Sequence, residues 1–188
     1  MYRILSVSVL VASLLVLLPD AASGQHMGHA DKEAKIENAL SAAPAAIADG
    51  AAVVDWDNTQ LRRGTNGWTC MPGPPHLPGN APMCLDEQWV KWAMAWTNHE
   101  EPQITQIGLA YMLEGGVDAS NTDPYASEPA PGDDWVHSGP HVMIVVPDLA
   151  ALEALPTDPN SGGPYVMWKG TPYAHIMMPI AEGQHGHH

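Results

Sequence analysis

The spacing of apolar positions predicts one strongly amphipathic helix near the middle of the chain. Asp86 and Glu87 place negative charge in its first turn, where the helix dipole favours anions. Trp89, Trp92 and Trp96 follow at i, i+3 and i+7, on a single face. This stripe predicts a face packed in the core, with an exposed ligand platform as the alternative.

Two further helices are predicted on either side of this one. The first begins at Asp31, as its N-cap, and runs to about Ala48, with Pro44 kinking or splitting it. The other begins at Pro147 and runs through Leu155.

Short apolar or alternating runs between turn residues predict the strands. They cover residues 51–56, 59–63, 68–70, 104–113, 141–146, 164–168 and 173–180. The first three suggest a small antiparallel meander and the last two a hairpin. Residues 118–140 are predicted to be a long polar loop. Because regular βαβ alternation is absent, we expect a single α+β domain on a mainly antiparallel sheet, with about three helices and one disulfide.

The two ends of the chain differ from its middle. Residues 1–24 are typical of a secretory signal peptide, with Arg3 before an apolar run and small residues at the cleavage region. The run is shorter than the roughly 20 residues that span a membrane. We therefore expect an exported mature chain, periplasmic or extracellular, without a membrane span. It comprises a His-rich lead-in at 25–30, the domain at 31–182 and a His-rich tail at 183–188.

The cysteine count agrees with export. Cys70 and Cys84 are the only two cysteines, and an oxidising compartment favours their pairing. Closing the Pro- and Gly-rich segment between them is worth about 3 kcal/mol in the chain-entropy model.

Charge and missing motifs exclude several classes of function. The formal net charge of −14 argues against binding to nucleic acid or to anionic lipid. The sequence contains no nucleophile elbow, phosphate loop, dinucleotide fingerprint or His-Glu-x-x-His helix.

A His-x-Met pair occurs in each of two predicted strands. His141 with Met143, and His175 with Met177, share a strand face because alternate residues point the same way. If the strands are neighbours with these faces aligned, two imidazoles and two thioethers converge, a set that suits copper. His137 lies close by and is a further candidate ligand.

Carboxylates near these histidines offer two alternatives. Asp123, Asp133 or Asp134 with imidazoles would suit zinc. Asp123 could also orient a histidine as a general base, with Tyr173 or Tyr125 as the acid. A capped turn is the simpler interpretation of Asp123. The catalytic candidates are His141, His175, Asp123 and Tyr173.

The mature N-terminus is a separate metal candidate. Cleavage after Ser23 would leave a free amine, two amides and the imidazole of His26, which suit square-planar Cu(II) or Ni(II). Cleavage after Gly24 would remove this chelate. The alternative for both His-rich ends is a pair of solvated polar tails.

Several peptide runs resemble a group of exported bacterial proteins that has no assigned function. The runs are SNTDP (120–124), GPH (139–141), GTPYAH (170–175), CLDE (84–87), GLAYML (108–113) and GPYVMW (163–168). The resemblance spans about Asp49 to Ile180. It implies secretion and a single domain, and it brings no activity, cofactor or site.

Three functions remain open at this stage. The leading hypothesis is an exported binding protein for a transition metal, copper or zinc, or for a small ligand. The second is a small extracytoplasmic hydrolase or lyase with a histidine base. The third is an interaction domain of the cell envelope in which Trp89, Trp92 and Trp96 form a partly exposed patch.

Overall fold

The computed structural model describes residues 22–180. The helices are α1 (Ala22–Leu40), α2 (Ala45–Ala48), α3 (Glu87–Thr97) and a 3-10 helix (Leu149–Leu152). The strands are β1 (Ala52–Val54), β2 (Gln60–Arg62), β3 (Thr69–Met71), β4 (Met83–Leu85), β5 (Gly108–Met112), β6 (Gly116–Asp118), β7 (Val136–Ser138), β8 (His141–Val145), β9 (Tyr165–Met167) and β10 (His175–Pro179). Most of the predicted signal peptide and the C-terminal tail lie outside the described residues.

Eight of the strands form one mainly antiparallel sheet in the order β2-β1-β3-β4-β5-β8-β10-β9. With three α-helices and one disulfide, the chain is a single α+β domain, as predicted. β9 and β10 pair as the expected hairpin strands. The predicted antiparallel meander is wrong in one respect, because β3 joins the far side of β1 and runs parallel to it.

The helices differ from the prediction mainly at their ends. Pro44 splits the first one, so that α1 ends at Leu40 and α2 starts directly after the proline. α1 begins at Ala22, earlier than the predicted cap. The helix expected from Pro147 is a short 3-10 turn, capped by the side chain of Asp148 on the backbone N–H of Ala150. Within residues 22–180 no helix is both long and apolar enough to cross a membrane.

A small second sheet joins the two ends of the predicted polar loop at 118–140. β6 pairs with β7, and Gly116 lies opposite Ser138. These strands have only three residues each, too few for alternation to be seen in the sequence.

The two long helices cover opposite faces of the main sheet. Cys84 packs beneath α1 in a cluster with Ala39, whereas the next residue, Leu85, packs with Trp89 of α3. Neighbouring strand residues point to opposite faces, so the helices lie on different sides. The disulfide joins Cys84 to its direct cross-strand partner Cys70, and both are fully buried.

Candidate metal centre

The two strands that carry the His-x-Met pairs are neighbours in the sheet. β8 and β10 pair antiparallel, with Met143 directly opposite Met177. The side chains of His141, Met143, His175 and Met177 are all buried on the face that α3 covers. Alternation along a strand thus brings both pairs to one surface.

Each imidazole also has a methionine directly across from it on its other neighbouring strand. Met112 of β5 pairs with His141 of β8, and Met167 of β9 pairs with His175 of β10. Directly paired residues share a face, with Cβ atoms about 5 Å apart. Sequence reasoning missed Met112 and Met167, because only the pairing register shows that they lie beside a histidine.

The face therefore carries two similar groups of ligand side chains. One consists of His141, Met112 and Met143, and the other of His175, Met167 and Met177. The paired residues Met143 and Met177 lie where the groups meet. Each group offers one ring nitrogen and two thioether sulfurs.

The two histidines lie at different levels of the strand pair. His141 pairs with Pro179, which lies four residues beyond His175 on β10, so the histidine backbones are separated by about 13 Å along the strands. Each Nδ1 contacts the carbonyl oxygen two residues earlier in its own chain segment. The register therefore forms two groups instead of one point of convergence, and a charge on the His141 ring would still act on His175.

The ring of His141 is oriented for coordination through Nε2. Its Nδ1 lies 2.7 Å from the carbonyl oxygen of Gly139, which as an acceptor holds the proton on Nδ1. Nε2 then carries a lone pair, and it is buried with no hydrogen-bond partner among the described residues. Burial lowers the pKa of His141. The ring is therefore neutral at neutral pH.

Gly116 packs closely against this ring. A Cβ atom placed on it would lie 3.2 Å from Cε of Met112, 3.4 Å from Cε1 of His141 and 3.8 Å from Sδ of Met112. Because the glycine has no side chain, its backbone can approach both the imidazole edge and the thioether. β6, which carries Gly116, thus covers the His141 end of the sheet face.

The ring of His175 is oriented in the same way but lies in aromatic surroundings. Its Nδ1 is 3.0 Å from the carbonyl oxygen of Tyr173. The rings of Trp89, Trp92 and Trp168 surround it, with centroids 5.2, 5.5 and 5.2 Å away. Complete burial lowers the pKa of His175 to about 4, so this ring is also neutral.

Polar side chains adjoin the His141 group on the β6–β7 side. Ser138 Oγ lies 3.2 Å from the hydroxyl oxygen of Tyr165. Desolvation raises the pKa of Tyr165 and raises that of Asp118 to about 6. Desolvation therefore makes the Asp118 carboxylate less stable than an exposed one, but the carboxyl is still mostly ionised at pH 7.

The side chains of the other predicted site residues make other contacts or are exposed. His137 is exposed on β7, where its neighbour Ser138 takes the inward position. Asp123 accepts from the backbone N–H of Tyr125, as a capped turn requires. The hydroxyl of Tyr173 donates to the carbonyl of Glu100. His26 lies in α1, and its side chain is outside the described residues.

No carboxylate completes either histidine group. Asp133 and Asp134 are exposed, and within residues 22–180 no three His, Cys, Asp or Glu side chains lie close enough to hold a metal ion. Within the described residues, neither strand imidazole forms a hydrogen bond with a carboxylate. A metal site in this core would therefore need thioether ligands.

The tryptophan stripe of α3 is a packed face, as predicted. Trp89 is 2% exposed and Trp92 is 7% exposed. The indole N–H of Trp89 donates to the carbonyl of Met143, at 3.2 Å, which fixes α3 over the methionines. These two rings are not available as a surface patch.

No protein-family model, no curated protein and no solved structure matches this chain.

Proposed function

We propose that this protein binds copper as Cu(I), with His141, Met112 and Met143 as its ligands. The observation that carries the proposal is the buried ring nitrogen of His141, which has no partner and lies beside a thioether. Such a nitrogen is costly to bury unless something binds it.

The ligand types favour copper over zinc. Thioether sulfur is a soft ligand that selects Cu(I), and imidazole also binds copper. Zinc sites in proteins use thiolate, imidazole or carboxylate, and no such set is present within residues 22–180.

The absence of negative charge on these three ligands also favours Cu(I). His141 in its neutral form and two methionines contribute no negative charge. A monovalent ion in this site buries one net positive charge, whereas a divalent ion would bury two at a much higher desolvation cost.

The carbonyl of Gly139 supports the proposed ligand. A metal-binding histidine usually donates its other ring N–H to an oxygen, which fixes the ring and makes the coordinating nitrogen more basic. The 2.7 Å contact at Nδ1 is of this kind.

The proposed setting is an exported one, as the N-terminal sequence and the disulfide favour. The formal charge of −14 would raise the concentration of cations near the protein. In this proposal the His-rich ends act only as auxiliary ligands.

The direct test is an anaerobic titration of the mature full-length chain with Cu(I), against a chromophoric Cu(I) chelator as competitor. We expect His141→Ala to retain about one equivalent fewer than the native chain, because its ring nitrogen is the anchoring ligand. His137→Ala, which removes an exposed histidine nearby, is the matched control and should retain the full amount.

A conservative variant separates lost binding from lost folding. Met112→Leu preserves volume and apolar character, so the fold should survive, as measured by circular dichroism. It should nevertheless weaken the same equivalent by at least about tenfold, since leucine has no sulfur. If His141→Ala and Met112→Leu both titrate like the native chain, the proposal is wrong.

A further inference from the structure

We infer that the same sheet face carries a second, independent soft-metal site, formed by His175, Met167 and Met177 and enclosed by tryptophan rings, that takes a monovalent ion. It uses none of the ligands proposed for the His141 group. It therefore goes beyond the proposed function and can stand if that function fails.

The pairing register brings the three ligands together. Met167 lies directly across from His175, and Met177 is two residues further along the strand on the same face. All three side chains are almost completely buried, at 2% exposure or less. Methionine has three rotatable bonds, so both thioethers are able to turn toward a bound ion.

The imidazole presents the required nitrogen. The carbonyl of Tyr173 accepts from Nδ1, which leaves the lone pair of His175 on Nε2. Within the described residues that second nitrogen forms no hydrogen bond.

Aromatic rings form the wall of this group. Trp92 and Trp168 are parallel to within 7° and 5.8 Å apart, and each stands at 80–82° to the imidazole ring. Trp89 closes a third side at 80°. The faces of indole rings attract cations, and tryptophan does so most strongly among the aromatic side chains.

These aromatic rings favour a monovalent ion as well as a soft one. The ligands are neutral, and the three indoles offer quadrupole attraction without a negative charge. Cu(II) prefers tetragonal nitrogen and oxygen ligands, which this group does not provide. A monovalent soft ion, Cu(I) or Ag(I), is the species that fits.

The two groups are separate because their histidines lie about 13 Å apart along the strands. Only Met143 and Met177, one from each group, lie next to each other. Loss of His141 should therefore leave binding at His175 intact.

The test uses Ag(I), a redox-inert monovalent probe, added to the mature full-length chain in chloride-free buffer while tryptophan fluorescence is recorded. A soft ion bound among three indoles should change the emission until about one equivalent has bound.

Matched methionine variants assign the signal. Met167→Leu and Met177→Leu should weaken the fluorescence response at least about tenfold, because each removes a sulfur and preserves volume. Met178→Leu changes the next residue of the same strand, on the opposite face, and should respond like the native chain. Zn(II) should produce no saturable change.

The outcomes separate this inference from the proposed function. A His141→Ala chain that loses one Cu(I) equivalent but keeps the Ag(I) fluorescence response supports two independent sites. A native response in Met167→Leu and Met177→Leu, or an equal response to Zn(II), overturns the second site. Neither result depends on whether His141 binds copper.

Discussion

The two halves of the main sheet are stabilised in different ways. Beneath α1, on the β1–β4 side, the fully buried side chains are alanines, one valine and the Cys70–Cys84 disulfide. Beneath α3, on the β5, β8, β10 and β9 side, they are mainly methionine, tryptophan and tyrosine, with two buried histidines between them.

The difference separates a scaffold from the proposed metal site. The small side chains let α1 pack closely against the sheet, and the disulfide crosslinks this core. These alanine, valine and disulfide side chains offer no metal ligand and no catalytic group. The methionine side has no crosslink and depends on large, polarisable side chains for its packing. It is also the side where neutral histidines are buried at a cost that bound metal would offset.

The largest expected effect is the loss of an indole from the methionine side. Trp92→Ala should lower the free energy of unfolding by about 3–5 kcal/mol, because it opens a large cavity among the aromatic rings. Urea unfolding measures this. Trp68→Ala, a half-buried indole on the disulfide side, is the comparison and should cost less. Equal losses would remove the proposed contrast in packing.

The second largest loss of stability is expected from removing the disulfide on the α1 side. Replacing both Cys70 and Cys84 by Ala should cost about 3 kcal/mol, since the disulfide closes a segment with a sequence separation of 14. The Ag(I) fluorescence response should persist below the new unfolding midpoint. Its disappearance in a chain that is still folded would show that the two sides are not separable.

Acid should destabilise the methionine side through its histidines. Burial lowers the pKa of His175 to about 4, from its usual 6.5, so between these values the unfolded chain binds a proton that the folded chain does not. This histidine's contribution to stability is present above pH 6.5 and is lost as the pH falls toward 4, by about 3 kcal/mol at most. Unfolding at a series of pH values in wild type and His175→Gln measures it, and the variant should show the shallower decline.

The ionisation of Asp118 should change the pH dependence of stability in the opposite direction to His175. Desolvation raises its pKa to about 6 from 3.8, so the folded protein pays to ionise it at neutral pH. Asp118→Asn should therefore stabilise the fold by about 1–2 kcal/mol at pH 7, and the gain should vanish as the pH falls from 6 to below 4. The exposed Asp134→Asn is the control, and an equal gain there would argue against desolvation as the cause.

The sequence was sufficient for features that depend on local pattern. Trp89 and Trp92 lie on the predicted packed face, Pro44 splits the first helix, and Cys70 pairs with Cys84. Alternation also placed His141 and Met143 on one face of a strand. Each of these follows from residue spacing or from simple counting.

Features that depend on pairing between distant segments were not predictable. Met112 and Met167 lie beside the histidines only because β5 and β9 adopt particular registers. The separation of the two imidazoles has the same origin, since a shift in register would move one group relative to the other. The β6–β7 pair was missed because each strand has only three residues and a segment rich in proline and polar residues connects them.

The most direct measurement of the central claim is ¹³C NMR of methionine methyl groups during Ag(I) addition to the mature chain, with each signal assigned by a Met→Leu variant. The account predicts that the methyl signals of Met112, Met143, Met167 and Met177 shift as Ag(I) binds. Exposed Met94 and Met178, on the opposite face, should not move. If the four buried methionines stay fixed while Ag(I) binds only outside this face, the account is contradicted.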